Sequence, residues 1–215
     1  MKPSDSSKIL QTYFPNLEKK QIYQFDILKE LYIGWNSKIN LISRKDIDNF
    51  YTRHVLHSLS IAKYIEFEKG SKILDVGTGG GFPGIPLAIY FSNINFKLID
   101  SIAKKIKVVN KVVSDLGLKN VISEVQRVEK THGKYDFIIS RAVTKLEKFC
   151  PWVEDKISNH QNNKIKNGII YLKGGDLTNE IKKVSNIYNI HITEISNYFK
   201  DLFFDTKSIV YLNKK

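Results

Sequence analysis

"DVGTGGGFPG", residues 75–84, carries two overlapping glycine patterns that imply different ligands. Read from Gly79 it is G-x-G-x-x-G, with Gly79, Gly81 and Gly84; read from Asp75 it is D-x-G-x-G-x-G, with Asp75, Gly77, Gly79 and Gly81. The stretch follows the apolar run "KILDV" (72–76) and precedes a helix-forming segment starting at Gly84. Either frame therefore puts glycines where a strand turns into a helix, so that the backbone can turn sharply and approach a ligand that a Cβ would keep away.

Outward from this loop, short runs rich in Ile and Val recur: "FKLID" (96–100), "VISEV" (121–125), "YDFIIS" (135–140) and "GIIYLK" (168–173). Between most of them lie segments with helix-forming composition, residues 84–91, 102–116, 145–157 and 177–188. Alternating strand and helix predicts a parallel sheet with right-handed crossovers. "NIHITEIS" (189–196) and "KSIVYLNK" (207–214) have no helix between them and predict an antiparallel terminal pair. Before Lys72 the spacing is helical, with Ile22, Phe25, Leu28, Leu31 and Tyr32 in one segment and Val55, Leu59, Ala62 and Ile65 in another. The expected organisation is a helical extension over residues 1–70 and one compact ligand-binding domain over 71–215.

The carboxylate discriminates between the frames. A dinucleotide presents a pyrophosphate to the glycine loop and helix start, and an aspartate at the strand end would repel it. S-adenosylmethionine presents an ammonium and a sulfonium, so Asp75 near the loop is attractive or harmless. Gly77 and Gly79 then cradle that ligand, and Asp100, ending the next strand, can accept both hydroxyls of a ribose. Pro83 and Pro86 bracket a helix start, where the missing N–H groups cost nothing.

The chain has 215 residues, 34 Lys and Arg against 22 Asp and Glu, and a net charge of +12. Basic residues outnumber acidic ones in every part of the chain, so the excess belongs to the body of the protein and suits a polyanionic partner. One cysteine, Cys150, excludes an intramolecular disulfide and fits a reducing, cytoplasmic setting. No apolar run reaches the length of a membrane span. The five histidines are scattered with no second cysteine, which argues against a metal site.

Seven stretches together resemble one family, the bacterial 16S ribosomal RNA guanine-N7 methyltransferases, also called RsmG or glucose-inhibited division protein B. They are "WNSKINLIS" (35–43), "RHVLHSL" (53–59), "LDVGTGGGFPGIPLAI" (74–89), "LIDSIAKKIKVV" (98–109), "VQRVE" (125–129), "YDFIISRAV" (135–143) and "LKGG" (172–175). The glycine loop alone indicates only a class I methyltransferase; the Phe-Pro-Gly-Ile-Pro continuation with "SRA" and "LKG" is far more specific. The resemblance implies a Rossmann-like α/β fold, with a mostly parallel seven-stranded sheet, helices on both faces and N-terminal helices ahead of it. It implies S-adenosylmethionine as cofactor, and ribosomal RNA or the small ribosomal subunit as partner of an enzyme expected to act as a monomer. Gly77 and Phe82 would line the cofactor site, Val128 and Glu129 would flank the adenine, and Arg141 would complete the pocket. His57 stands where the family commonly has Asp, and "AKK" (103–105) where Gly-Lys-Arg is usual.

Methylation at guanine N7, a lone pair without a proton, needs no general base, so no catalytic residue is expected. "SRAV" stands where adenine amino methylation needs Asn/Asp-Pro-Pro-Tyr/Phe, and Cys150 reads as a packed apolar residue rather than the nucleophile of cytosine methylation. For RNA contact the candidates are Arg53, His54 and Lys173, with the lysines 104, 105, 107 and 111 as a phosphate-neutralising cluster or a merely solvated face. Trp35 and Trp152 read as core anchors. The alternatives are a methyltransferase acting on a small molecule or protein, a non-catalytic RNA-binding assembly factor on the same fold and, more weakly, an NAD-binding protein.

Overall fold

The computed structural model describes residues 5–36, 39, 41, 42 and 44–215; Ser37, Lys38, Asn40 and Ser43 of the "WNSKINLIS" stretch lie outside the described residues. The apolar runs form β1 (Lys72–Val76), β2 (Asn95–Asp100), β3 (Val121–Val125), β4 (Phe137–Arg141), β5 (Gly168–Gly174), β6 (Tyr188–Glu194) and β7 (Lys207–Lys214). They make one sheet in the order β3-β2-β1-β4-β5-β7-β6. The first five strands pair in parallel, and β7 pairs antiparallel with both β5 and β6. The crossovers carry helices α5 (Gly84–Tyr90), α6 (Ala103–Asp115), α7 (Leu146–Val153) and α8 (Thr178–Val184), each shorter than the segment that predicts it.

The two-residue period of the strands splits the core into two layers. Ile73, Phe137, Ile139, Ile170 and Leu172 face one layer, shared with α5, α6 and the N-terminal helices; Leu74, Ile138, Ile169 and Tyr171 face the other, shared with α7 and α8. The N-terminal helices are α1 (Asp5–Tyr13), α2 (Lys19–Asn36), α3 (Arg44–Ile47) and α4 (His57–Tyr64). They carry Leu10, Phe25, Leu28 and Leu59 into the first layer. Polar contacts fix the docking: Gln24 donates to the Leu116 carbonyl at 2.7 Å, and Gln21 to the carbonyls of Ile89 and Tyr90. The Tyr32 hydroxyl donates to the Gly80 carbonyl, so α2 also braces the glycine loop.

Between α3 and α4 the chain forms a π-helical turn, Tyr51–Leu56, in which the His57 N–H reaches the carbonyl of Thr52. Such turns are rare and favour functional sites. This one delivers Arg53 and His54 to the carboxyl end of the sheet. No helix among the described residues is long and apolar enough to cross a membrane.

Candidate active site

Strand order reverses between β1 and β4, and an open α/β sheet holds its ligand at the carboxyl ends of the strands around that point. A cavity of about 580 Å³ lies there, and Gly77, Gly79, Phe82, Asp100, Val128, Glu129 and Arg141 all line it. Seven residues from four separate stretches of sequence thus converge on one cavity of ligand size.

The loop leaves β1 with Gly77, Gly79 and Gly81 at positive φ, a region that glycine enters without cost. A Cβ on Gly77 would lie 2.4 Å from Cγ2 of Val143, so the β1 and β4 loops touch here. Asp100 pins the loop to β2: its Oδ2 accepts from Gly79 N at 3.0 Å, and its Oδ1 from Ile102 N at 2.9 Å. Lys105, the nearest of the lysine cluster, stands 3.8 Å from Oδ2. Each carboxylate oxygen keeps a further lone pair with which it can accept. Val128 and Glu129 fall in a single 3₁₀ turn after β3, Val128 buried and Glu129 exposed.

Asp75 departs from its expected place. It is fully buried and absent from the cavity wall; Oδ2 accepts from the Thr78 hydroxyl at 2.6 Å and from Gly84 N at 2.9 Å. The carboxyl therefore ties the loop to the first turn of α5 instead of facing a ligand ammonium, and burial pushes its pKa up to about 7. The glycine frame read from Asp75 holds, but the residue supports the cradle from beneath.

Arg141 sits between Phe82, whose ring centroid is 5.3 Å from its guanidinium carbon, and the π-turn. It donates to the Arg53 carbonyl at 3.3 Å and contacts Nδ1 of His54 at 3.1 Å. Guanidinium offers only donors, so His54 must accept at Nδ1 and carry its proton on Nε2. Burial, reinforced by the Arg141 charge, lowers the His54 pKa to about 4, so the ring is neutral near pH 7. His57, in the place of the family's usual Asp, is buried with its pKa held well below the ordinary value by burial and then by Arg141 and Lys207. Arg141 itself drops to about 10 through desolvation, and it has no salt-bridge partner among the described residues.

After Arg141 the chain turns through Ala142 at φ 54, a left-handed conformation that costs an alanine about 1–2 kcal/mol. The Tyr171 hydroxyl holds the turn, accepting from Val143 N and Thr144 N at 3.0 and 2.9 Å. Arg141, Ala142 and His54 also line a second cavity of about 450 Å³. Its other walls include Arg53, Lys173, Asp46, Glu180, Phe203 and Lys207. The three predicted substrate residues Arg53, His54 and Lys173 thus meet in one place. Arg53 pairs with Asp46 at 2.5 Å, and Lys173 with Glu180 at 2.8 Å while donating to the Thr144 carbonyl at 3.0 Å.

Trp152 packs partly buried against the second core layer, as expected, but sequence reading missed that it also lines the first cavity, and it missed all the second-cavity residues contributed by α3, α8, the segment before β7 and the first residue of β7. Trp35 packs against the core as expected. Cys150 is buried, with its thiol pushed up to about 12 by desolvation, as suits an inert packed residue. Among the described residues no cluster of three His, Cys, Asp or Glu side chains could hold a metal.

The sheet order, the glycine loop at its switch point and the carboxylate on the neighbouring strand define a class I methyltransferase, an enzyme that uses S-adenosylmethionine. Solved structures agree on the fold. A SAM-dependent methyltransferase from Aquifex aeolicus superposes with a TM-score of 0.56 at 17% identity, over 78% of this chain and 95% of that one. Precorrin-6y C5,15-methyltransferase from Geobacter metallireducens gives 0.57 at 12%, over 82% and 92%. Residues 21–201 match the family described as GidB, rRNA small subunit methyltransferase G, and the chain belongs to that family. It is 56% identical over 205 residues to ribosomal RNA small subunit methyltransferase G of Flavobacterium johnsoniae, covering 94% of this chain and 96% of that one. The protein of the same name from Christiangramia forsetii is 55% identical over 208 residues, covering 97% of each.

The cavity suits S-adenosylmethionine in its chemistry: a glycine cradle that a Cβ would fill, a carboxylate for ribose, and an unpaired cation for a carboxylate. Gly77→Ala is expected to raise the dissociation constant for S-adenosylhomocysteine about tenfold, because left-handed strain and the overlap with Val143 displace the loop. Calorimetric titration checks this; an unchanged constant would remove Gly77 from the cradle.

Proposed function

We propose that the protein transfers a methyl group from S-adenosylmethionine to N7 of a guanine in the 16S RNA of the small ribosomal subunit. The observation that carries the reading is the pair of adjoining cavities, one built for the cofactor and one rich in Arg and Lys, that share Arg141, Ala142 and His54. When bound, the cofactor supplies an electrophilic methyl on a sulfonium. Asp100 accepts from the ribose, the Val128–Glu129 turn meets the adenine, Phe82 forms an apolar wall, and Arg141 holds the amino-acid carboxylate. No side chain has to remove a proton, because guanine N7 offers a free lone pair. What the protein provides is in-line placement, worth many orders of magnitude when two reactants are held together. Arg53 and Lys173 hold the RNA strand at the mouth of the second cavity, and the exposed lysines of α6 extend the contact to phosphates. Residues 1–70 serve as a helical extension that supplies the RNA-facing π-turn, and 71–215 as the cofactor-binding domain. The enzyme acts as a monomer in the cytoplasm, without a metal ion.

The test is incubation with methyl-labelled S-adenosylmethionine and either 16S RNA or small subunits, followed by nucleoside analysis and mapping. Label in 7-methylguanosine is expected. Cofactor binding with no label in either substrate would overturn the reading and point to a small-molecule or protein acceptor.

A further inference from the structure

The second cavity contains a carboxylate for which methyl transfer as described has no use. Glu180, on α8, is held from two sides: Oε2 accepts from the Lys173 ammonium at 2.8 Å and from Leu146 N at 2.9 Å. Its side chain is only 16% exposed, yet Oε1 has no hydrogen-bond partner among the described residues and is not sealed from solvent. Asp46, the other carboxylate of this cavity, is engaged with Arg53 at 2.5 Å. A rigid, half-used acceptor in a site otherwise furnished with cations is a recognition element in search of a donor.

We propose that Glu180 reads the target base, Oε1 accepting the N1–H of guanine, and so selects guanine over adenine. This rests on the guanine-N7 reading above. Guanine N1 carries a proton, whereas adenine N1 carries a lone pair that a carboxylate repels. N1 lies on the Watson–Crick edge of the purine and N7 on the adjoining Hoogsteen edge, with O6 between them, so a grip on N1 leaves N7 free to face the cofactor cavity across the shared wall of Arg141 and Ala142. As the N7–CH3 bond forms and the CH3–S bond breaks, the electron pair of the broken bond stays on sulfur and the positive charge passes to the purine. That charge acidifies N1–H and strengthens its bond to Glu180, so the contact tightens toward the transition state.

Glu180→Gln tests the assignment with little change in shape. The amide oxygen must stay toward Leu146 N and Lys173, both donors, which turns the amide NH2 into the cavity and places a donor opposite a donor. Methylation of small subunits is expected to lose about 30-fold or more in kcat/KM, with the dissociation constant for S-adenosylhomocysteine within about twofold of wild type, roughly the precision of such a comparison. A second readout does not depend on absolute rate. In RNA carrying 2-aminopurine, whose N1 is an acceptor, at the mapped guanine, the wild type discriminates strongly against the analogue and the Gln variant loses most of that discrimination. Wild-type kcat/KM in the variant, unchanged discrimination, or a parallel loss of cofactor affinity would each overturn the role of Glu180. Absence of RNA methylation by the wild-type protein would instead remove the guanine reading itself.

Discussion

Arg141→Met is expected to weaken cofactor binding about 100-fold, near 2.7 kcal/mol, while leaving the stability of the free protein within about 1 kcal/mol of wild type. The asymmetry follows from the state of the guanidinium. In the free protein it is a desolvated cation, with its pKa lowered to about 10, bonded among the described residues only to a carbonyl and an imidazole nitrogen. Methionine surrenders those two bonds but no longer holds a charge out of water, and it can still pack on Phe82. With ligand present the balance changes, because the lost partner of a buried carboxylate costs several kcal/mol. Arg141→Lys restores charge without the planar fork and should fall between the two. Thermal unfolding with and without S-adenosylhomocysteine, together with calorimetric titration, measures both quantities. Unchanged affinity in the Met variant would move Arg141 out of the cofactor site and leave it as a brace for the π-turn.

The legible parts of the protein are those governed by local chemistry. The central strands β1, β4 and β5 are mostly apolar runs because both of their faces are buried, whereas the edge strand β3 stays partly exposed, and Gly77 and Gly117 mark places where the chain must leave a strand or helix at positive φ. The residues that line the first cavity lie at or shortly after strand ends, where an α/β sheet gathers its ligand contacts; Gly77, Gly79 and Asp100 were readable from that pattern, while Phe82, Val128, Glu129 and Arg141 were readable only through the family resemblance. Trp152 could have been placed better. Leu146, Phe149, Cys150 and Val153 form the buried stripe of α7, and Trp152 lies off it. The second cavity was legible only at Arg53, His54 and Lys173. Asp46 on α3, Glu180 on α8 and the Phe203–Lys207 segment are far apart in the chain, and the last is brought beside Lys173 by the antiparallel pairing of β7 with β5. The π-turn has no sequence signature either, since its extra residue is tolerated by packing and not by any residue type. The direction of Asp75, by contrast, was written in the strand period. It shares a face with Ile73, whose layer includes α5, so it had to point under the helix and away from the loop's open side.

That geometry leads to a pH-dependent result. An unfolded aspartate titrates near 3.8, whereas burial raises Asp75 to about 7 in the folded protein. Between those values the native state holds a proton that the unfolded state has released, so stability contributed through this group falls as pH rises from about 4 to about 7, by at most about 1.4 kcal/mol per unit, and levels off above. In Asp75→Asn the amide oxygen can accept from both Thr78 and Gly84, as Oδ2 does, and the NH2 occupies the position of Oδ1, which has no partner among the described residues. The exchange replaces a titrating group with a neutral one while keeping the tie between loop and helix. Denaturant unfolding of both proteins at several pH values from about 5 to about 8 should therefore give a difference that shifts steadily in favour of the Asn variant as pH rises; a pH-independent difference would refute it. Cofactor binding then separates two roles for the same carboxyl. If the Asp75→Asn variant binds S-adenosylhomocysteine with wild-type affinity at about pH 8, where Asp75 is ionised, the residue is a brace. If affinity falls about tenfold or more without loss of stability, its charge acts on the ligand ammonium through the loop, as the sign of the residue first suggested. Asp75→Ala, which leaves both the Thr78 hydroxyl and the Gly84 N–H without an acceptor, should lose stability and affinity together whichever role holds.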